Sequence, residues 1–344
     1  MTTDRHLGFA ILLASQPGIG PRRLSDLLAG PGPERGWREA GGDPQIDAEQ
    51  VVAVHRAAGV QAMLIDDPAY PERLRSDLEP PAVLFAVGDL GAIRAPLVAI
   101  VGTRRGTGSG AGVARELGRE LTEAGVAIVS GLALGIDGAA HRGVLDARGA
   151  PVGVVGSGLD VVYPARHDEL WGQVKAQGVL LGEAGLGVRP APWRFPARNR
   201  IIAALADVLV VVESHAAGGS MHTVHEAIER DRLVMAVPGS VRNSSSAGTN
   251  QLIAEGCPPV RDATDVLVAL GLGAAERAGI ADSRPVPTPI AEAVLAGFDG
   301  EPSTLENLLL RTRVPLPDLA LALEALLATG WVERTGGWYE PVAR

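Results

Sequence analysis

Apolar residues change their spacing twice along this chain, and the changes divide it into three stretches. Over residues 1–58 they recur at helical intervals, at Leu7, Ile11 and Ala14 and again at Leu24, Leu27 and Leu28. Between the two sets lies Gln16-Pro17-Gly18-Ile19-Gly20-Pro21. This spacing predicts a small helical domain of helix-hairpin-helix (SAM-like) type. Its glycine N–H groups suit close approach to a phosphate, or the turn serves only as a connector between helices.

From residue 59 to 270 short β-branched runs alternate with helical ones, which predicts an α/β domain, an extended Rossmann-like fold with a mostly parallel sheet. The expected strands are Leu97–Val101, Val126–Val129, Val152–Val155, Val208–Glu213 and Leu233–Val237. Their near-continuous apolar character fits strands covered on both faces. Each is followed by small residues, and in an open parallel sheet such loops converge on one crevice.

Residues 271–289 lack periodicity and read as a linker. Residues 290–344 show three helix-like stretches and two strand-like pieces around Gly336-Gly337, the pattern of a winged helix. The third helix, from Leu316 to Thr329, carries Asp318 and Glu324 but no Arg or Lys. Phosphates would repel it, so a protein-contact or regulatory role is expected instead of DNA recognition.

Composition narrows the possibilities. A formal net charge of −9 argues against coating nucleic acid through the overall field. Any polyanion site must therefore be a local gathering of arginines, since Lys175 is the only lysine. Cys257 stands alone, which excludes an internal disulfide and any multi-cysteine metal site. No apolar run approaches the roughly 18 residues of a membrane span, and Leu7–Ala14 leads into a turn without a cleavage site, so the reading is a cytoplasmic protein.

Four loops carry candidate chemistry. Gly102-Thr103-Arg104-Arg105 follows the first expected strand, but the glycine spacing departs from G-x-G-x-x-G, and no Lys-Ser/Thr follows to make a P-loop. Its paired arginines make it an anion cradle. Ser130 and Gly131 offer donors at a helix start, and Asp137 is placed to cap that helix and hold His141. Gly156-Ser157-Gly158 leads to Tyr163-Pro164, and close backbone approach there serves either a ligand or a neighbouring loop. Gly218-Gly219-Ser220-Met221-His222-Thr223 supplies hydroxyls and N–H groups for a phosphate. With Glu226 it partly matches a phosphoribohydrolase motif, so a nucleoside-monophosphate phosphoribohydrolase-like enzyme is the alternative function.

The most informative segment is Phe195-Pro196-Ala197-Arg198-Asn199-Arg200. Two guanidiniums, an amide and an aromatic ring at a loop-to-helix junction suit gripping a phosphate backbone and stacking a base. Arg198 and Arg200 lie two positions apart on a helix and cannot share a face. One is expected to reach a phosphate while the other pairs with a carboxylate such as Glu183 or Asp207.

Taken in order, Gly102-Thr103-Arg104-Arg105, Ser130 to His141, Gly156 to Pro164, Phe195 to Arg200 with Ile201-Ile202, and Pro238-Gly239 closely resemble the DNA-processing protein A (DprA/Smf) family. The resemblance implies a non-enzymatic, cofactor-free homodimer that binds and shields incoming single-stranded DNA in natural transformation and loads the RecA recombinase onto it. It implies strand contacts at Gly102, Thr103, Arg104, Arg105, Ser130, Gly131, Phe195, Arg198, Asn199, Arg200, Gly219, Ser220 and Thr223.

Overall fold

The computed structural model describes residues 3–30, 32–94, 96–272, 284–298 and 302–342. The chain forms two compact units, Met1–Arg277 and Ala278–Arg344. Most of the expected linker at 271–289 lies outside the described residues.

The first unit is built on eight strands: β1 (Gln61–Leu64), β2 (Val83–Gly88), β3 (Leu97–Val101), β4 (Ala127–Ser130), β5 (Val152–Val155), β6 (Val179–Gly182), β7 (Val208–Val211) and β8 (Leu233–Ala236). Their order is β1-β2-β6-β5-β4-β3-β7-β8. The six strands from β6 to β8 pair in parallel, and β2 and β1 extend that edge antiparallel. Five of these strands match the expected ones to within two residues at each end. β1, β2 and β6 have no counterpart among the expected strands, and β6 is a run of four residues too short to show its period.

Alternate residues of each strand serve opposite layers, as the pleat requires. On one face Ala99, Val129, Val154, Leu181 and Leu209 pack with Ile201, Ile202 and Leu205 of the helix Arg194–Leu205 and with Val224 of the helix Ser220–Glu229. On the other, Val98, Ile100, Ile128 and Val210 meet Leu117 and Leu121 of Gly108–Glu123 and Ile136 and Ala140 of Ile136–Asp146. The sheet is thus covered on both sides, which explains its almost unbroken apolar strands.

Four helices, Asp4–Ser15, Pro21–Ala29, Pro33–Glu39 and Ala48–Ala57, occupy the first 58 residues. They do not have a core of their own. Phe9, Ile11, Leu13 and Ile19 share one cluster with Val83, Phe85 and Val87 of β2 and with Leu180 of β6. His55 adds a polar tie: its Nε2 accepts from Leu186 N–H at 3.1 Å while Nδ1 lies 2.9 Å from the Val51 carbonyl.

The second unit has the winged-helix arrangement. Helices Pro289–Ala296, Leu305–Thr312 and Leu316–Ala328 pack Val294, Leu308, Leu319 and Leu323 together with Phe298, which follows the first helix, beside the antiparallel strands β9 (Ser303–Thr304), β10 (Val332–Thr335) and β11 (Trp338–Pro341). The third helix exposes Leu316 and Leu321 beside Asp318 and Glu324.

Candidate nucleic-acid interface

Strand order reverses between β3 and β7, because β4, β5 and β6 follow β3 to one side and β7 and β8 lie to the other. The carboxyl ends at such a reversal leave a crevice where ligands bind in open α/β sheets. Here the crevice is a cleft of about 550 Å³, walled by the 102–104 loop after β3, the start of helix Arg194–Leu205 and the 215–223 segment after β7.

Gly102, Thr103, Arg104, Phe195, Arg198, Asn199, Gly219, Ser220 and Thr223 all line this cleft. Gly131 lines an adjoining pocket that shares Arg104, Tyr163, Phe195 and Arg198 with it. Arg105 is exposed but lies outside the cleft wall. Among the described residues no carboxylate pairs with Arg104 or Arg105. The Arg104 guanidinium carbon instead sits 4.8 Å from the Phe195 ring centroid, and the Tyr163 ring lies 5.5 Å from Phe195 at 35°. Cation, ring and ring therefore stand side by side at the rim.

Arg198 lies deeper. It is 6% exposed, and its Nε and Nη1 have no hydrogen-bond partner. Burial lowers its pKa to about 10, against the pull of Asp137 and with Arg104 adding to the fall. Asp137 is buried beside it, its carboxyl raised by burial and opposed by Arg198. The Asp137 carboxylate accepts from Gly131 N–H at 3.2 Å. A Cβ at Gly131 would fall 1.5 Å from Arg198 Nη1, so any larger residue there would displace that guanidinium.

Arg200 turns the other way, as two positions along a helix demand. It donates to Glu183 and to the Glu79 carbonyl and is 5% exposed, so it fixes the loop and cannot reach a strand as it stands. Asp207, the other carboxylate expected to take that pairing, is held by Arg73 at 2.9 Å.

Three further residues differ from expectation. Ser130 has no exposed surface, and its hydroxyl donates to the Ile100 carbonyl at 2.6 Å, so it ties β4 to β3 and offers nothing to a ligand. Asp137 serves Gly131 N–H, while His141, fully buried one turn on, is pushed down to about 3 by burial and stays neutral. Ser220 lines the cleft, yet its hydroxyl donates to Ser214 at 2.8 Å.

In the sequence Glu213 is legible only as the end of an apolar strand. It is buried, and its carboxylate accepts from Thr107 N–H at 2.8 Å and from the Thr107 hydroxyl at 2.7 Å, while its carbonyl accepts from Thr103 N–H at 2.7 Å. The loop after β3 is thereby clamped to the end of β7. A glutamate closing an otherwise apolar strand was the available signal. His215 and His222 also line the cleft, and neither was proposed as a contact. Glu226, the acid of the partial phosphoribohydrolase motif, accepts from Arg230 at 2.6 Å and is not part of the cleft wall.

The chain is thus an α/β protein of Rossmann-like topology with an arginine-rimmed, aromatic-lined cleft at the reversal of its sheet. Residues 61–271 match the family model described as DNA recombination-mediator protein A, and the chain belongs to that family. It is 34% identical over 287 residues to Protein Smf of Escherichia coli, covering 81% of this chain and 76% of that protein. It is 37% identical over 218 residues to DNA processing protein DprA of Bacillus subtilis, with coverage of 63% and 73%. The X-ray structure of DNA processing protein A from Streptococcus pneumoniae superposes with a TM-score of 0.62 at 32% identity, covering 78% of this chain and 93% of that one. A structure of the Helicobacter pylori protein, whose subject is its single-stranded DNA binding mode, matches with a TM-score of 0.54 at 29% identity, covering 61% and 95%. Among the described residues no helix is long and apolar enough to cross a membrane.

Proposed function

We propose that this protein binds single-stranded DNA in the cleft and hands the strand to a RecA-type recombinase, acting as a cytoplasmic homodimer without catalysing a reaction. The observation that carries this reading is the trio of Arg104, Phe195 and Arg198 lining one cleft: a cation without a carboxylate partner 4.8 Å from the centroid of a half-buried ring, and a second, buried cation one turn along the helix. Phosphodiesters need the cations, and unpaired bases need the ring. Phosphate contact then falls to Arg104 and Arg198 with the Thr103 hydroxyl and the Gly102 and Gly219 backbone, stacking to Phe195, and polar bridging to Asn199. The engagement of Glu226 with Arg230 counts against a phosphoribohydrolase.

Competition of labelled oligodeoxythymidylate with unlabelled duplex tests this directly. Single strand should displace the label and duplex should not. Equal displacement by duplex, or release of free base from nucleoside monophosphates, would overturn the reading. Addition of recombinase to the protein–strand complex tests the transfer step.

A further inference from the structure

The cleft does not end at Phe195. Helix Arg194–Leu205 presents Phe195 and Asn199 to the cleft, and its neighbouring positions Trp193, Arg194, Ala197 and Arg198 line a second, smaller recess whose far wall is Ile19-Gly20-Pro21 of the amino-terminal hairpin. Arg198, more than nine-tenths buried and with Nε and Nη1 unpartnered, lines both spaces. The hairpin is firmly seated: Ile19 is buried, and a Cβ on Gly20 would lie 4.0 Å from the Trp193 ring. The hairpin thus walls a recess that shares Arg198 with the cleft, and the Trp193 indole stands against its Gly20.

That indole is unusual for an acidic, aromatic-poor chain. Trp193 is 41% exposed, and the Arg194 guanidinium carbon lies 4.4 Å from its ring centroid. The arrangement repeats the Arg104–Phe195 pair two residues along. Beyond it, Arg22 and Arg23 are both exposed on the helix that leaves the hairpin, and Asp26 one turn on forms no ion pair with either. An exposed ring backed by a cation, followed by two unpaired guanidiniums, has the composition of a strand-tracking surface.

We infer that the strand leaves the cleft across Trp193 and runs onto the hairpin, where Arg22 and Arg23 take backbone phosphates and Trp193 stacks a base. This second segment of the site rests on the single-strand reading of the cleft. It assigns the amino-terminal helices a binding role, where their sequence left contact and connector equally open.

Two oligodeoxythymidylates, of about 6 and about 20 nucleotides, separate the segments, since one nucleic-acid-binding module spans about 4–16 nucleotides. With the full chain, the R22A/R23A double variant should bind the short strand like the parent. Its salt dependence on the long strand should fall by about 1.4 log units per log unit of salt, from about 0.7 per phosphate contact. Trp193→Ala should weaken only the long strand, about 10- to 100-fold, and Trp193→Phe should restore most of that loss. Unchanged long-strand binding by R22A/R23A, or equal weakening of both strands, would overturn the proposal. Arg104→Ala is the control: if it weakens both strands while R22A/R23A weakens neither, the hairpin segment alone is wrong. If Arg104→Ala weakens neither, the cleft reading fails and takes the hairpin with it. A thermal melt of each variant confirms that the fold is kept.

Discussion

The guanidinium of Arg104 covers the ring of Phe195, and the two side chains come from segments 91 residues apart in sequence that meet only because β3 ends beside the helix Arg194–Leu205. A cation and a stacking plane are thus placed as one unit, held from below by the Glu213 clamp on the Arg104 loop. Their functions are separable by salt.

Arg104→Ala should weaken single-strand binding irrespective of base sequence and lower the salt slope by about 0.7 for the one lost phosphate contact. Arg104→Lys should recover the slope but not all the affinity, because an ammonium lacks the planar stack. Fluorescence anisotropy at several salt concentrations measures both quantities.

Phe195→Ala should cost about 1–3 kcal/mol of single-strand affinity with the salt slope intact. A parallel loss of slope would mean that the ring acts only by positioning Arg104.

Glu213→Ala removes both acceptors for Thr107 and frees the loop that carries Arg104. Affinity should fall, and the loss should not add to that of Arg104→Ala in the double variant, since both act through one contact. Glu213→Gln keeps one acceptor oxygen and should retain most of the binding. Full additivity in the cycle would show that Glu213 acts elsewhere.

His141 gives a pH prediction. Burial holds its pKa at about 3, below the ordinary imidazole value, so the folded state binds fewer protons than the unfolded one. Its contribution to stability is complete above the unfolded value of roughly 6.5 and is lost progressively as pH falls toward about 3. His141→Leu should flatten the fall of unfolding free energy across that window by up to one proton. Urea melts between these limits give the slope.

Deleting residues 285–344 should leave single-strand affinity unchanged, because the third helix of that unit exposes Leu316, Leu321, Asp318 and Glu324 and no cation. Loss of binding on deletion would assign the winged helix a direct contact.

The α/β class, five strands and about half of the cleft lining were legible in the sequence because each rested on local chemistry: β-branched runs, and glycine and arginine in the loops that follow them. The opposite facing of Arg198 and Arg200 was also local, a matter of helical pitch, and the pairing with Glu183 was one of two carboxylates named. Burial is what sequence could not supply. Ser130 reads as a loop donor until it is seen under the rim bonded to Ile100, and Asp137 reads as a partner of His141 until the chain brings Gly131 and Arg198 to it. Glu213 needed the pairing of β3 with β7, a contact over more than 100 residues, before its carboxylate had anything to hold.

Because Phe9, Ile11 and Leu13 lie directly on Val83, Phe85 and Val87, the first four helices cannot be treated as a detachable module. Cutting the chain near residue 58 would uncover an apolar strip on the outer part of the sheet and invite clumping. A natural relative built without those helices would have to carry polar side chains at the three positions corresponding to 83, 85 and 87.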